Sequence, residues 1–481
     1  MGGVTGEFRA VGPVAAPQRG GWRWLGLTLC AGGALVPGSA LAHASEGGFL
    51  LLMPTEYWLA GGAVAVGFTF LVLALGGGSE AAFRARRLGA RAPLGGEAVT
   101  QWVGFLLFLA LLYAGFTGPG DPAVNPLPLA VWTVGWIGLT LVTALCGDLW
   151  RAINPWSGPH RLLRRYLGPV QPLPAVGHWP AVACLFLIGW VELVYPAPED
   201  PTRLALLLIG YWSFHLAAMA LWGEPWRERC EGLSLFFSLI ARLAPIWAER
   251  TTLEGRARLT WFAAYPGGRL IRDAPLPLSG TAFLTLALAV VSFDGLLRTF
   301  AWIDLMGVNP FEYPGRTAMV ELNSLGLLGA WAGMSTLFVG AVLGGRALAR
   351  PETPWQTDLG RLALTLLPIA LGYHLGHYLV ALLINGQYAM AAAADPLGIA
   401  FDRSNVTTSF LNTASGVDAI WRVQWAGIVV GHLLAVLMAH AIAAEAWTGD
   451  PKGLIRNQAP LACLMIAYTL LGLWLMAAPA I

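Results

Sequence analysis

Apolar stretches about as long as a bilayer is thick, separated by short polar loops, run through most of this chain. From residue 50 onward ten of them read as membrane spans, at about 57–78, 101–118, 128–147, 177–197, 203–223, 280–301, 322–344, 359–384, 418–445 and 460–478. A helix needs roughly 20 apolar residues to cross the hydrocarbon core, and each of these stretches comes close to that length. The expected fold is all-α, a polytopic transmembrane helix bundle of about ten spans.

Ahead of the first span, residues 1–42 fit a secretory signal. Arg9, Arg19 and Arg23 form a positive start, WLGLTLCAGGALV an apolar middle, and Ala40-Leu41-Ala42 a small-residue cleavage site. The domain reading is a signal peptide at 1–42 and a single polytopic membrane domain at 43–481. Cleavage would make His43 the first residue, with a free α-amine beside its imidazole. Those two nitrogens can chelate one ion and suit copper.

The loops between spans divide by charge. One set carries Arg84, Arg86, Arg87 and Arg91, then Arg151, Arg161, Arg164 and Arg165, then Arg346, Arg350, Lys452 and Arg456. The alternate set, GPGDPAVNP, PAPEDPTR and the long 385–417, carries few positive charges. Because Lys and Arg concentrate on the cytoplasmic side, the mature N-terminus is expected outside. The apolar segment CEGLSLFFSLIARLAPIW (230–247) would reverse Arg256, Arg258, Arg269 and Arg272 if it crossed. It reads instead as a re-entrant or interfacial helix.

Composition supports the membrane reading and excludes others. The chain of 481 residues is 56% hydrophobic and 12% charged, with a mean hydropathy of +0.62, whereas soluble domains are about 25% charged. A net charge of +2 gives no reason to expect a nucleic-acid partner. The five cysteines, Cys30, Cys146, Cys184, Cys230 and Cys463, lack CxxC spacing and read as small apolar helix residues.

Ionisable side chains at membrane depth are costly, so each asks for a partner or a task. Glu192 lies in LIGWVELVYP. Asp294 lies in VVSFDGLLRTFAW with Arg298 four residues on, the spacing of an ion pair on one helix face. In GYHLGHYLV, His374 and His377 share a face. His377 sits roughly 13 Å from the outer end of its span. His432 in IVVGHLLAVLMAHAIA is expected at a similar depth, His440 two turns deeper, and His215 near mid-span in YWSFHLAAMA. Singly, each histidine reads as a hydrogen-bonded interior residue. His377 and His432, grouped with Glu192, Asp294 and a cleaved His43 in the outer half, form a donor set suited to zinc, copper or non-haem iron. The metal candidates are therefore His43, His377, His432, His374 and His440, with a divalent copper or zinc ion as cofactor.

Several stretches taken together resemble the bacterial polytopic membrane proteins of the fenitrothion hydrolase family: GDLWRAINPW, WVELVYP, EGLSLFFSLIARLAP, SFDGLLRT with Trp302 behind it, GYHLGHYL with INGQ, DPLG, and IWRVQWAGIVVGHLLAVLMAH. The likeness runs from about residue 43 to 445. His43, His377, His432 and His440 match histidines of that family, and Glu192 and Asp294 fall on its WxELVYP and FDxxSRT-like motifs. His374 is a departure, small residues being usual there, and Leu297 replaces the usual serine. The resemblance implies a bacterial inner membrane, cleavage of an aryl phosphotriester, and a second membrane subunit as partner. It supplies no established catalytic residues.

Three functions follow as expectations. The first is a metal-dependent hydrolase acting on a small apolar substrate from the lipid, with Glu192, Asp294 and Arg298 as its catalytic residues. The second is transport or handling of a metal ion, copper above all, captured at His43 and passed through His377, His432 and His440. The third is a non-catalytic subunit of a membrane complex whose polar residues only join helices.

Overall fold

The computed structural model describes residues 55–478 except 77–82, 92–95, 254–255, 314, 398–405 and 448–449. The signal segment and His43 lie outside the described residues. Leu50–Ile481 makes one compact unit. Among the described residues nine helices are long and apolar enough to cross a membrane. They are α1 (Thr55–Gly76), α2 (Glu97–Thr117), α3 (Pro126–Cys146), α5 (Pro201–Trp222), α7 (Leu278–Leu297), α8 (Val320–Ala349), α9 (Leu366–Ala394), α10 (Ala414–Ala446) and α11 (Pro451–Ala477). This is a multi-pass membrane protein built as a helical bundle.

The expected span at 177–197 forms a shorter apolar helix, α4 (Trp179–Leu193). Its 15 residues reach only about 22 Å at the α-helical rise. The sequence ends it early, since the YPAP that follows Val194 cannot continue a helix. One face of α4 packs into the bundle, where Ala181, Val182, Cys184, Leu185, Gly189 and Leu193 are buried.

The bundle closes around α7, of whose 20 residues 15 are buried. LSGTAFLTLALAVVSFDGLL is apolar or small on every face, which is the composition of a helix surrounded by others. By contrast α1 and α8 bury less than a fifth of their apolar windows. α9 and α10 touch backbone to backbone. A Cβ on Gly372 would come within 2.3 Å of the Gly427 carbonyl oxygen, and one on Gly431 within 2.5 Å of the Pro368 oxygen. In lipid, where chains and solvent are equally apolar, such small-residue contacts are what hold helices together. They fix the height of the α9 histidines relative to His432 on α10.

Two features refine the sequence expectation. First, the all-α bundle carries a small sheet. Three short strands, β1 (Arg86–Arg91), β2 (Ile246–Leu253) and β3 (Arg256–Ala263), pair antiparallel in the order β1-β3-β2 at the arginine-rich end. Second, 230–247, expected as a re-entrant or interfacial helix, is helical only in its first half and lies inside the bundle. It forms α6 (Gly232–Ile240), a 3-10 turn over Ala241–Leu243, and then the start of β2. Leu235, Phe236, Phe237, Leu239 and Ile240 are all buried in the bundle. The helix stops because Ala244 precedes Pro245 and takes an extended conformation, as a residue before proline must.

Candidate functional site

Asp294 stands in the last turn of α7 with its side chain 1% exposed. Its Oδ2 lies 2.9 Å from His377 Nε2 on α9, and its Oδ1 3.1 Å from Nη2 of Arg298, one turn further along its own chain. The i,i+4 spacing read from the sequence thus does make an ion pair. Arg298 caps the C-terminal end of α7, where a positive charge also meets the favourable end of the helix dipole. The two partners differ in access: His377 is 18% and Arg298 49% exposed. A buried carboxylate is therefore held between a nearly buried imidazole and a guanidinium that reaches out of the bundle.

Glu192, near the C-terminal end of α4, lies next to this group. Its Oε1 accepts a 2.7 Å hydrogen bond from the Tyr378 hydroxyl, while its buried Oε2 has no hydrogen-bond partner among the described residues. Arg316 anchors the same end of α4 by donating to the Glu192 backbone carbonyl at 3.0 Å. Tyr378 touches both α9 histidines, with ring centroids 4.7 Å from His374 and 4.9 Å from His377. Tyr373 stacks 6.5 Å from His377, and its buried hydroxyl also lacks a partner among the described residues.

On the far side of His374 stands Trp136, at 5.8 Å edge to face, itself stacked on Phe236 at 5.2 Å. Trp136 belongs to a π-helical stretch of α3, Leu129–Leu139, a form of helix frequently found at functional sites. Four elements, α3, α4, α7 and α9, thus bring Glu192, Asp294, Arg298, His374 and His377 into one neighbourhood.

The other expected ligands stay apart. His432 is fully buried on α10, where Nδ1 lies 2.9 Å from the Ile428 carbonyl one turn back, and its ring faces Tyr468 at 5.8 Å. The carbonyl can only accept, so Nδ1 carries the proton and Nε2, which has no hydrogen-bond partner among the described residues, is the acceptor nitrogen. His440 is 3.1 Å from Gln458 Oε1. Among the described residues no three His, Cys, Asp or Glu side chains converge as the ligands of a metal ion would. His43 lies outside them.

The sequence reading missed Tyr378 and Tyr373. The signal was present, because each stands four residues from a histidine, His374–Tyr378 and Tyr373–His377, on shared helix faces.

A second buried acid occupies a different part of the bundle. Glu231 is fully buried and caps α6. Its Oε1 accepts from the Tyr211 hydroxyl and from Leu233 N at 2.9 Å, and its Oε2 from Ser234 N at 2.6 Å. Nearby, His215 Nδ1 accepts from Trp226 Nε1 at 3.0 Å, which leaves Nε2 protonated and facing Cys184 Sγ at 3.5 Å. The imidazole is thus a donor to the sulfur and not a base for the thiol.

No family model, curated protein or solved structure matches this chain, and the reading of the site rests on its geometry.

Proposed function

We propose that the chain is a membrane-embedded hydrolase that cleaves an apolar ester of the phosphotriester class, reached from the lipid, by acid–base chemistry at Asp294, His377 and Arg298. The observation that carries this reading is the contact between Asp294 Oδ2 and His377 Nε2, with Arg298 on the other carboxylate oxygen. A carboxylate on one imidazole nitrogen fixes the tautomer and leaves the other, Nδ1, as the base. His377 Nδ1 takes a proton from water, the hydroxide forms a bond to phosphorus, and the aryloxide leaves with that proton. Arg298, half exposed while paired with Asp294, offers its remaining N–H donors to the phosphoryl oxygen and stabilises the charge that grows there. Glu192 with Tyr378 orients the water or the leaving group.

The residues described fit this chemistry better than they fit a divalent ion. Asp294, the carboxylate in contact with His377, is already neutralised by Arg298, and no third ligand joins them among the described residues. A copper or zinc ion would need His43 as a further ligand, and what it would add there is a more acidic bound water.

The remaining reading follows from the sequence. The mature chain crosses a bacterial inner membrane ten times, with α4 as the short crossing. It begins outside after loss of residues 1–42, and it works beside a second membrane subunit.

The test is hydrolysis of a nitrophenyl dialkyl phosphate by the full chain in nanodiscs. Asp294→Asn should lower the rate by about 10²–10⁴-fold, the usual contribution of a positioned acid–base group, with the protein still folded. An unchanged rate would remove Asp294 from the chemistry. A wild-type protein inert toward a panel of such esters would remove the hydrolase reading.

One observation favours ion transport as the second reading: the buried Nε2 of His432 has no hydrogen-bond partner among the described residues, while its Nδ1 is tied to the Ile428 carbonyl. Copper uptake by proteoliposomes that survives His440→Ala would remove His440 from the path, and no uptake by wild type would eliminate the reading.

A further inference from the structure

The sheet is the one part of the fold that a bundle of spans does not require, and its two faces differ. In an antiparallel ladder, directly opposed residues point to the same side, and along each strand the sides alternate. The register sets Ile246 and Arg86 opposite Ala263, Gly89 and Ala248 opposite Trp261, and Arg91 opposite Leu259. One face therefore carries Ile246, Leu259 and Trp261 together with Arg86 and Arg91. The other carries Trp247, Thr260 and Phe262. There Trp247 and Thr260 are buried, and Trp247 stacks on Phe262 at 5.7 Å.

The Trp261 face is open: Trp261 is 38% exposed, Ile246 47%, and Leu88, at the bulge in β1, 52%. Arg84, Arg86, Arg87 and Arg91 are exposed, and none of them forms an ion pair among the described residues.

Three physical constraints restrict what can cover this face. An open sheet has unpaired edge groups and cannot lie in hydrocarbon. Exposed Trp and Ile side chains gain by leaving bulk water. Unpaired guanidinium groups match phosphate oxygens. Only the headgroup layer meets all three, and tryptophan concentrates there. The sheet is also placed for it. Phe83, just before β1, is buried and meets Tyr265, just past β3, at 6.0 Å, while Gly267 abuts Met438 toward the end of α10.

We propose that the Trp261 face lies in the headgroup layer of the protein's own bilayer and binds anionic phospholipid through Arg86 and Arg91. This surface is independent of the catalytic reading above. It makes anionic lipid a structural component of the arginine-rich end and ties the sheet, and with it the β2 end of α6, to the membrane plane.

The full chain is reconstituted in nanodiscs of phosphatidylcholine with a minor fraction of phosphatidylglycerol, and the lipid retained on extraction is measured by mass spectrometry. Wild type should enrich phosphatidylglycerol, and the double variant Arg86→Gln, Arg91→Gln should lose about fivefold of that enrichment per arginine, the effect of one basic residue at an anionic surface. Separately, acyl-brominated lipid should quench tryptophan fluorescence less in Trp261→Phe than in wild type. Equal enrichment in the double variant with an unchanged melting temperature would overturn the lipid assignment. So would quenching that is indifferent to Trp261→Phe, which would mean that this face does not meet the bilayer.

Discussion

Glu231 and Asp294 are both carboxylates buried inside the same helical bundle, yet the protein holds them in opposite ways. Around Glu231 each oxygen has its donors, the Tyr211 hydroxyl and two backbone N–H groups, and the neighbouring His215 is satisfied on both nitrogens. Around Asp294 and Glu192 the arrangement is open. Arg298 is half exposed, His377 is partly accessible, and Glu192 Oε2, Tyr373 Oη and His374 Nε2 lack hydrogen-bond partners among the described residues. Buried polar groups in native proteins are normally paired, and the proposed hydrolysis would use the unpaired ones beside His377. On that reading the satisfied acid joins helices and the under-satisfied one takes part in the chemistry.

The sharpest way to break this contrast is to truncate Glu231. Glu231→Ala strands three buried donors, and at about 1–3 kcal/mol for each unsatisfied group the loss is about 3 kcal/mol or more. The expected result is poor yield of folded protein and a large drop in melting temperature in detergent. A variant that melts with wild type but has lost activity would move the reactive role to Glu231.

His377→Gln should show the reverse. Melting should stay within a few degrees of wild type, since Arg298 still balances Asp294, while phosphotriester turnover falls by about 10²–10⁴-fold. Retention of turnover would reduce the Asp294–His377 contact to a helix joint.

What the sequence made legible follows the range of each interaction. Local spacing revealed the Asp294–Arg298 pair and the shared face of His374 and His377, because i,i+3 and i,i+4 neighbours are set by the helix alone. Apolar run length revealed the spans. Which helices abut was not legible, and so neither was the meeting of Asp294 on α7 with His377 on α9. Depth matching alone also grouped His432 with His377, whereas the structure turns the His432 Nδ1 to its own helix at Ile428. The sheet was hidden for another reason. RRLGAR and IWAERTTL are short and arginine-bearing, and in a chain of long apolar runs they read as loop.

Tyr378→Phe is a smaller probe of the open cluster. It removes the hydroxyl that Glu192 Oε1 accepts from, so both carboxylate oxygens of Glu192 lose their partners. A neutral hydrogen bond is worth about 1 kcal/mol, which corresponds to roughly fivefold in kcat/KM if the pair orients substrate. The split between kcat and KM separates this from mere loosening. A positioning role lowers kcat, while a purely structural one lowers the melting temperature and leaves kcat unchanged.

The smallest expected effect lies on the satisfied side and is read by pH. Glu224 is outside the spans, on the short helix Glu224–Cys230, and is linked to the Glu231 cluster through Arg227. Arg227 Nε donates to Glu224 Oε2 at 2.7 Å, and Arg227 Nη1 donates to Ser234 Oγ at 3.4 Å. Burial alone would raise the Glu224 carboxyl, but hydrogen bonds and charge from His160, Arg227 and Ser157 outweigh it and bring it from 4.5 down to about 2. A carboxyl lowered on folding stabilises the protein fully above its unfolded value, and the contribution is lost as pH falls from about 4.5 through about 2. Melting temperature should therefore decline across that window in wild type and decline less steeply in Glu224→Gln. The side chain is 38% exposed, so solvent screens the effect and the difference in slope should be modest. Parallel curves for the two proteins would mean that the Glu224–Arg227 link carries no stability, and that the Glu231 cluster is held by its own three donors alone.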